Sequence, residues 1–127
     1  MFVPTSTGAN RVDNPGAYDV LYLGDSPQCA VAEAFGWAPR WNAGLLRGSP
    51  ALPGSVRALV AYDLGGHAAV CDLDDADRLA SLGLRPPRVV TRDREVTQAW
   101  ARELFEGGQY AGVRWWSYYN PEWGSVG

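Results

Sequence analysis

The sequence predicts an α+β fold: one compact domain with a mixed, mainly antiparallel sheet and flanking helices. Three observations predict it. Helix-period and strand-like stretches are interspersed without the strict alternation of a doubly wound fold. Two strand-like runs flank Gly65-Gly66, which reads as a β-hairpin. Finally, 127 residues with 46% hydrophobic and 20% charged content suit one globular domain with a real core.

Residues 1–19 are rich in Thr, Gly, Asn, Pro and Asp and read as a loop, with Asn14-Pro15-Gly16 as a turn. Arg11 lies in this loop, where the ordinary expectation is a solvated arginine. Val20 to Leu23 is a short apolar and aromatic run, hence a strand. Gly24 and Asp25 break it. Ser26 suits a helix N-cap and Pro27 the first helical position, so a helix is predicted from there to near Gly36. Glu33 is the only charged side chain of residues 26–39, and its helical neighbours Cys29, Ala30 and Gly36 offer it no positive partner. Either it points to water at the helix edge, or it is a carboxylate at the rim of a pocket.

Residues 37–55 are irregular and long for a passive connection; Trp37, Trp41, Leu45 and Leu46 are expected to pin them. Val56 to Leu64 reads as a strand, and Ala68 to Leu73 as its hairpin partner. Asp74 or Asp75 can cap a short helix through Leu82, closed by Gly83. Pro86 and Pro87 predict an extended link, followed by a brief strand from Arg88 to Thr91. Residues 94–106 are the clearest helix, with Val96, Ala99, Trp100, Leu104 and Phe105 on one face and Gly107-Gly108 as a stop. Ala111 to Tyr119 is aromatic and β-branched, hence a strand, broken by Asn120-Pro121.

Composition excludes several chemistries. Net charge is −3, so bulk attraction to nucleic acid is not expected. No apolar run reaches the roughly 18 residues of a membrane span. Met1-Phe2-Val3-Pro4-Thr5 lacks a basic region followed by an apolar stretch, so a signal peptide is not expected and the location reads as cytoplasmic. All 11 basic residues are arginine, which excludes a lysine Schiff base and a Walker A lysine. Cys29 and Cys71 read as reduced core thiols. No metal-ligand cluster or nucleophile motif is present, and the one histidine, His67, reads as an exposed turn residue. The remaining polar set among aromatics is Arg11, Tyr22, Glu33 and Ser117. Around Ser117, the rings of Trp115, Trp116, Tyr118 and Tyr119 describe either a core strand or the wall of a pocket for a planar ring.

The order of these features carries a resemblance. Arg11 lies in Asn-Arg-Val-Asp, followed by Leu21-Tyr22-Leu23 and Ala30-x-x-Glu33. Then come Val70-Cys71-Asp72-Leu73, Arg94-x-x-Thr97-Gln98-x-Trp100-Ala101 and Gly112-Val113-Arg114-Trp115-x-Ser117. The sequence resembles the RES domain, named for its arginine, glutamate and serine, over most of its length from Arg11 to Trp123. The resemblance implies an ADP-ribosyltransferase-like fold and the toxin half of a bacterial toxin–antitoxin pair. The implied activity is degradation of NAD by hydrolysis or phosphorolysis of the nicotinamide–ribose bond, with NAD as substrate and no resident cofactor. Arg11 would clamp the pyrophosphate, Tyr22 would line the nicotinamide site, and Ser117 would hydrogen-bond the nicotinamide or its ribose. Glu33 would act beside the ribose.

Two other readings use the same pocket: ADP-ribosyl transfer to a protein, or a catalytically dead module that binds NAD or a partner. A helix-turn-helix antitoxin is the implied partner, with no direct nucleic-acid or membrane binding. Residues 1–127 would form one RES-like domain, lacking the family's first strand, which carries another arginine, and its last. That describes a shortened member or a fragment, with weakened phosphate anchoring. Tyr118 stands where the family often has arginine. A sheet short of outer strands predicts a homo-oligomer through unpaired edges.

Overall fold

The computed structural model describes residues 7–66 and 69–127. His67, the first residue of the expected strand from Ala68, and the first part of the expected N-terminal loop lie outside the described residues. The fold is α+β. Strands β1 (Leu23–Gly24), β2 (Val70–Asp72), β3 (Gly112–Trp116) and β4 (Gly124–Val126) form one sheet in the order β1-β4-β3-β2. β1 and β3 each pair antiparallel with β4, whereas β2 pairs parallel with β3. The helices are α1 (Pro27–Phe35), α2 (Ala76–Leu82), α3 (Pro86–Val90) and α4 (Arg94–Glu106), with a 3-10 turn at Ala43–Leu46.

Local signals place α1 where the sequence predicts it. The Ser26 side chain accepts the Cys29 N–H at 3.2 Å, and Gly36 closes the helix. Gly24 lets the helix lie against the strand: a Cβ there would stand 2.6 Å from the Ala30 backbone nitrogen. Asp25 ties the strand–helix junction to β4, because its carboxylate accepts the Gly124 N–H at 2.6 Å and its own N–H donates to the Gly124 carbonyl at 2.9 Å. Arg114 reinforces this join by bridging Asp25 to Asp72 and Asp74. Burial lowers the pKa of Arg114, but hydrogen bonds and charge from Asp72 and then Asp25 outweigh it and raise the net value.

The core lies between the sheet and the helices, with Val12, Val20, Cys71, Leu73, Val89, Trp100, Val113 and Trp115 at its centre. α4 docks on α3 through the Trp100 indole N–H, which donates to the Arg88 carbonyl at 3.0 Å. The buried face of α4 is Thr97, Trp100 and Ala101, a rotation from the predicted one, with Ala99 and Phe105 exposed. Cys29 and Cys71 are free, buried thiols.

Several expectations are corrected. The predicted strand from Val20 to Leu23 narrows to Leu23–Gly24, because β1 pairs only with Ser125 and Val126 of β4, and Val20 turns into the core instead. Val56 to Leu64 forms no strand: Val56 bridges singly to Arg47 and is 75% exposed. β-strand propensity depends on context, and among the described residues β2 pairs with β3 and has no ladder to residues 56–64. The expected link through Pro86 and Pro87 is helix α3. Arg85 before the prolines is extended, but prolines in the first helical turn lose no hydrogen bond. The last aromatic strand ends at Trp116 rather than Tyr119. β4, made of Gly, Ser and Val, carried no propensity signal.

Candidate active site

Glu33 and Ser117 are 84 residues apart in sequence, and the Ser117 hydroxyl donates to Glu33 Oε1 at 2.6 Å. α1 places Glu33 one helical turn beyond Cys29, whose buried thiol donates to the Gly124 carbonyl at 3.3 Å and locks the helix on β4. Ser117 follows directly on β3, where the alternation of buried Val113 and Trp115 carries its side chain inward, to 2% exposure. A third group joins them: Ser125 of β4, opposite Trp115, donates to the same Oε1 at 3.3 Å. Ser117 Oγ in turn accepts the Tyr119 N–H at 3.2 Å. One oxygen of the carboxylate is therefore pinned by two hydroxyls. The other, Oε2, has no protein donor among the described residues. The residue as a whole remains exposed, so the carboxylate sits at a rim.

Arg11 is not a free surface arginine. Its Nη1 donates to the Val89 carbonyl at 2.6 Å and the Thr91 carbonyl at 2.9 Å, at the C-terminal end of α3. The loop that carries it is fixed by Gln98 of α4, whose Nε2 donates to the carbonyls of Gly8 and Asn10, both at 2.9 Å. Desolvation, then the positive charge of Arg94, push the Arg11 pKa below its ordinary value, while Glu33 and Tyr22 act to raise it. Arg11 and Glu33 thus share one electrostatic neighbourhood.

Tyr22 does different work from a simple wall residue. Its hydroxyl donates to Asp13 Oδ1 at 2.8 Å and accepts the Val12 N–H at 3.0 Å. Asp13, 1% exposed, also accepts the backbone N–H groups of Gly8 and Asn10. The Tyr22 pKa is raised well above its ordinary value, by burial first and then by the bond to Asp13. Its hydroxyl is committed to the loop of Arg11, which leaves the ring face for other contacts. That ring meets the edge of Trp115 at 6.2 Å between centroids. Beside Ser117, the Arg92 guanidinium lies 4.9 Å over the Tyr118 ring.

The structure thus joins Glu33 directly to Ser117, brings Arg11 within electrostatic reach of Glu33 and Tyr22, and ties Tyr22 to the loop that carries Arg11. Sequence reasoning missed Asp13, Ser125 and Arg94 as members of this neighbourhood. Asp13 stood in the Asn-Arg-Val-Asp stretch and Arg94 opened a noted motif, so both were visible but unassigned. Ser125 had no signal. A cavity of about 540 Å³ lies elsewhere, lined by Val20, Leu23, Leu64 and Val113, and includes none of Arg11, Glu33 and Ser117. Its lining is mostly apolar, with Tyr18, Asp19 and Tyr110 as its polar side chains. Among the described residues no cluster of His, Cys, Asp and Glu could hold a metal ion, and no helix is long and apolar enough to cross a membrane.

The sequence model of the RES domain matches residues 2–125, nearly the whole chain. Searches of curated proteins and of solved structures gave no match. The family has an ADP-ribosyltransferase-like fold, with which the four-stranded mixed sheet and four helices are consistent. At the level of the family it carries an NAD-related, toxin-like role, NAD-processing enzyme activity and an association with antitoxin partners. On the strength of a match that spans almost every residue, the chain belongs to the RES domain family.

Proposed function

We propose that this chain degrades NAD by breaking the nicotinamide–ribose bond. The observation that carries the reading is the Glu33 carboxylate, with Oε1 held by Ser117 and Ser125 and Oε2 without a donor among the described residues. Nicotinamide leaves with the electron pair of the C1′–N bond, which neutralises its pyridinium nitrogen. It therefore needs no general acid. The ribosyl fragment becomes an oxocarbenium-like cation. A fixed anion beside it is a charge already oriented toward what develops in the transition state. Glu33 Oε2 is assigned that role, through electrostatics and hydrogen bonds to the ribose hydroxyls.

Ser117 is assigned a positioning role, because its proton is committed to Glu33. This differs from the direct bond to nicotinamide or ribose that the family resemblance implies. Arg11 contributes positive charge toward the phosphates, with Nη1 fixed by the two carbonyls and the rest of the guanidinium available. The Tyr22 ring is assigned to the nicotinamide side. The cation then collapses with water, releasing a proton, or with phosphate, giving ADP-ribose or its 1″-phosphate. NAD is substrate throughout.

The test is incubation of purified protein with NAD, with and without phosphate, followed by chromatography. Free nicotinamide with ADP-ribose or its phosphate is expected. Nicotinamide accompanied by labelled protein would instead show transfer to a protein acceptor. No nicotinamide from folded protein under either condition would overturn the enzyme reading.

A further inference from the structure

Arg94 opens α4, and its Nη1 is buried without a hydrogen-bond partner among the described residues. It is the one buried side-chain nitrogen or oxygen atom among them left in that state. A buried donor without a partner is costly, and more so on a charged group. The neighbouring acid does not relieve it: the Asp93 carboxylate caps its own helix, accepting the N–H groups of Glu95 and Val96. No ion pair forms to either Arg94 or Arg11 among the described residues.

The geometry puts the two arginines together. Arg11 is bonded to the Val89 and Thr91 carbonyls, in the turn that leads into Arg94. Gln98 lies one helical turn after Arg94, on the same face of α4. Gln98 grips Gly8 and Asn10, next to Arg11. The face of α4 that carries Arg94 therefore looks onto the loop that carries Arg11. Two like charges so placed repel, an effect also felt in the lowered pKa of Arg11. One guanidinium held by backbone carbonyls rather than by a carboxylate, beside another with an unpartnered Nη1, forms an anion site waiting for its anion.

We infer that Arg94 and Arg11 together form a subsite for a phosphate group. The group belongs either to the diphosphate of a dinucleotide or to inorganic phosphate. The identity of that ligand rests on the NAD reading above; the existence of the subsite does not.

The test is calorimetric titration of wild-type, Arg94→Gln and Arg94→Lys proteins with ADP-ribose, inorganic phosphate and adenosine. ADP-ribose lacks nicotinamide and the scissile bond, so no turnover is needed. Wild-type protein should bind a phosphate-bearing probe, and more weakly as salt rises. Arg94→Gln should weaken that binding at least tenfold, with Arg94→Lys intermediate and adenosine unaffected. A loss confined to ADP-ribose identifies the dinucleotide diphosphate; a loss confined to inorganic phosphate identifies a separate acceptor site. Either outcome supports the subsite, even where NAD is not cleaved. Should Arg94→Gln not fold, Arg94→Lys carries the comparison and should still bind several-fold more weakly than wild type. Unchanged binding in a folded variant, or no binding of either phosphate probe by wild type, overturns the inference.

Discussion

Replacing Ser117 by alanine removes the shortest hydrogen bond to Glu33, 2.6 Å long, and the acceptor for the Tyr119 N–H. A hydrogen bond to a charged group contributes about 1.5–3 kcal/mol. Glu33 is exposed and its carboxylate rehydrates in the variant, which discounts the loss. About 1 kcal/mol of stability should go, a fall in Tm of roughly 3–5 °C for a domain of this size. The effect on turnover should be larger. Ser125 alone, at 3.3 Å, would then hold the carboxylate, and a loosened group loses the orientation on which its charge depends. Nicotinamide release should drop about 10- to 100-fold, a barrier change of roughly 1.4–2.7 kcal/mol.

Removing Ser125 instead breaks the longer bond to Glu33, at 3.3 Å, and a 3.9 Å contact with the Cys29 thiol, so Ser125→Ala should cost a few-fold at most. The assay is initial-rate nicotinamide release on both variants, with thermal melting on the same preparations. Wild-type turnover in folded Ser117→Ala protein, or a larger loss in Ser125→Ala, would refute the idea that Ser117 aims Glu33.

Two further predictions follow from the packing. Gly24→Ala places a Cβ 2.6 Å from the Ala30 nitrogen, so α1 must shift; stability should fall by about 1–3 kcal/mol and turnover should fall with it, read by denaturant melts and nicotinamide release. The Tyr22 hydroxyl has its pKa raised in the folded state from an ordinary 10.0, so its contribution is complete below pH 10.0 and is lost as pH climbs above that value. Tyr22→Phe should therefore lower stability at neutral pH by removing the bond to Asp13, yet flatten the alkaline loss; an unchanged slope in melts above pH 10.0 would contradict this.

What the sequence made legible was local. Ser26, Pro27 and Gly36 mark α1 because capping and the proline rule act within one turn, and the apolar spacing of 94–106 marks α4 for the same reason. Apart from α3 at Pro86-Pro87 and the rotated face of α4, the misreadings were non-local. Val56 to Leu64 has the residues of a strand but adopts none, and β4 is a strand without the residues. The site divides in the same way. Glu33 was visible as a lone carboxylate on an apolar helix, and Ser117 as a lone hydroxyl among rings. Nothing local says that they touch across 84 residues, or that Ser125 completes the pair. Arg11 is ordinary as a loop arginine and becomes distinctive only through the α3 carbonyls that seize it and the Arg94 charge beside it.

The proposed chemistry depends most directly on the charge of Glu33. Glu33→Gln keeps the shape and an oxygen able to accept from Ser117 and Ser125. The protein should fold, with stability within about 1 kcal/mol of wild type. NAD should still bind, because the ground-state ribose carries little of the charge that Glu33 opposes. Nicotinamide release, followed on that same folded protein, should fall by roughly 10²-fold or more, about 2.7 kcal/mol of transition-state stabilisation. Wild-type turnover in folded Glu33→Gln protein would remove Glu33 from the chemistry and contradict the proposed function at its centre.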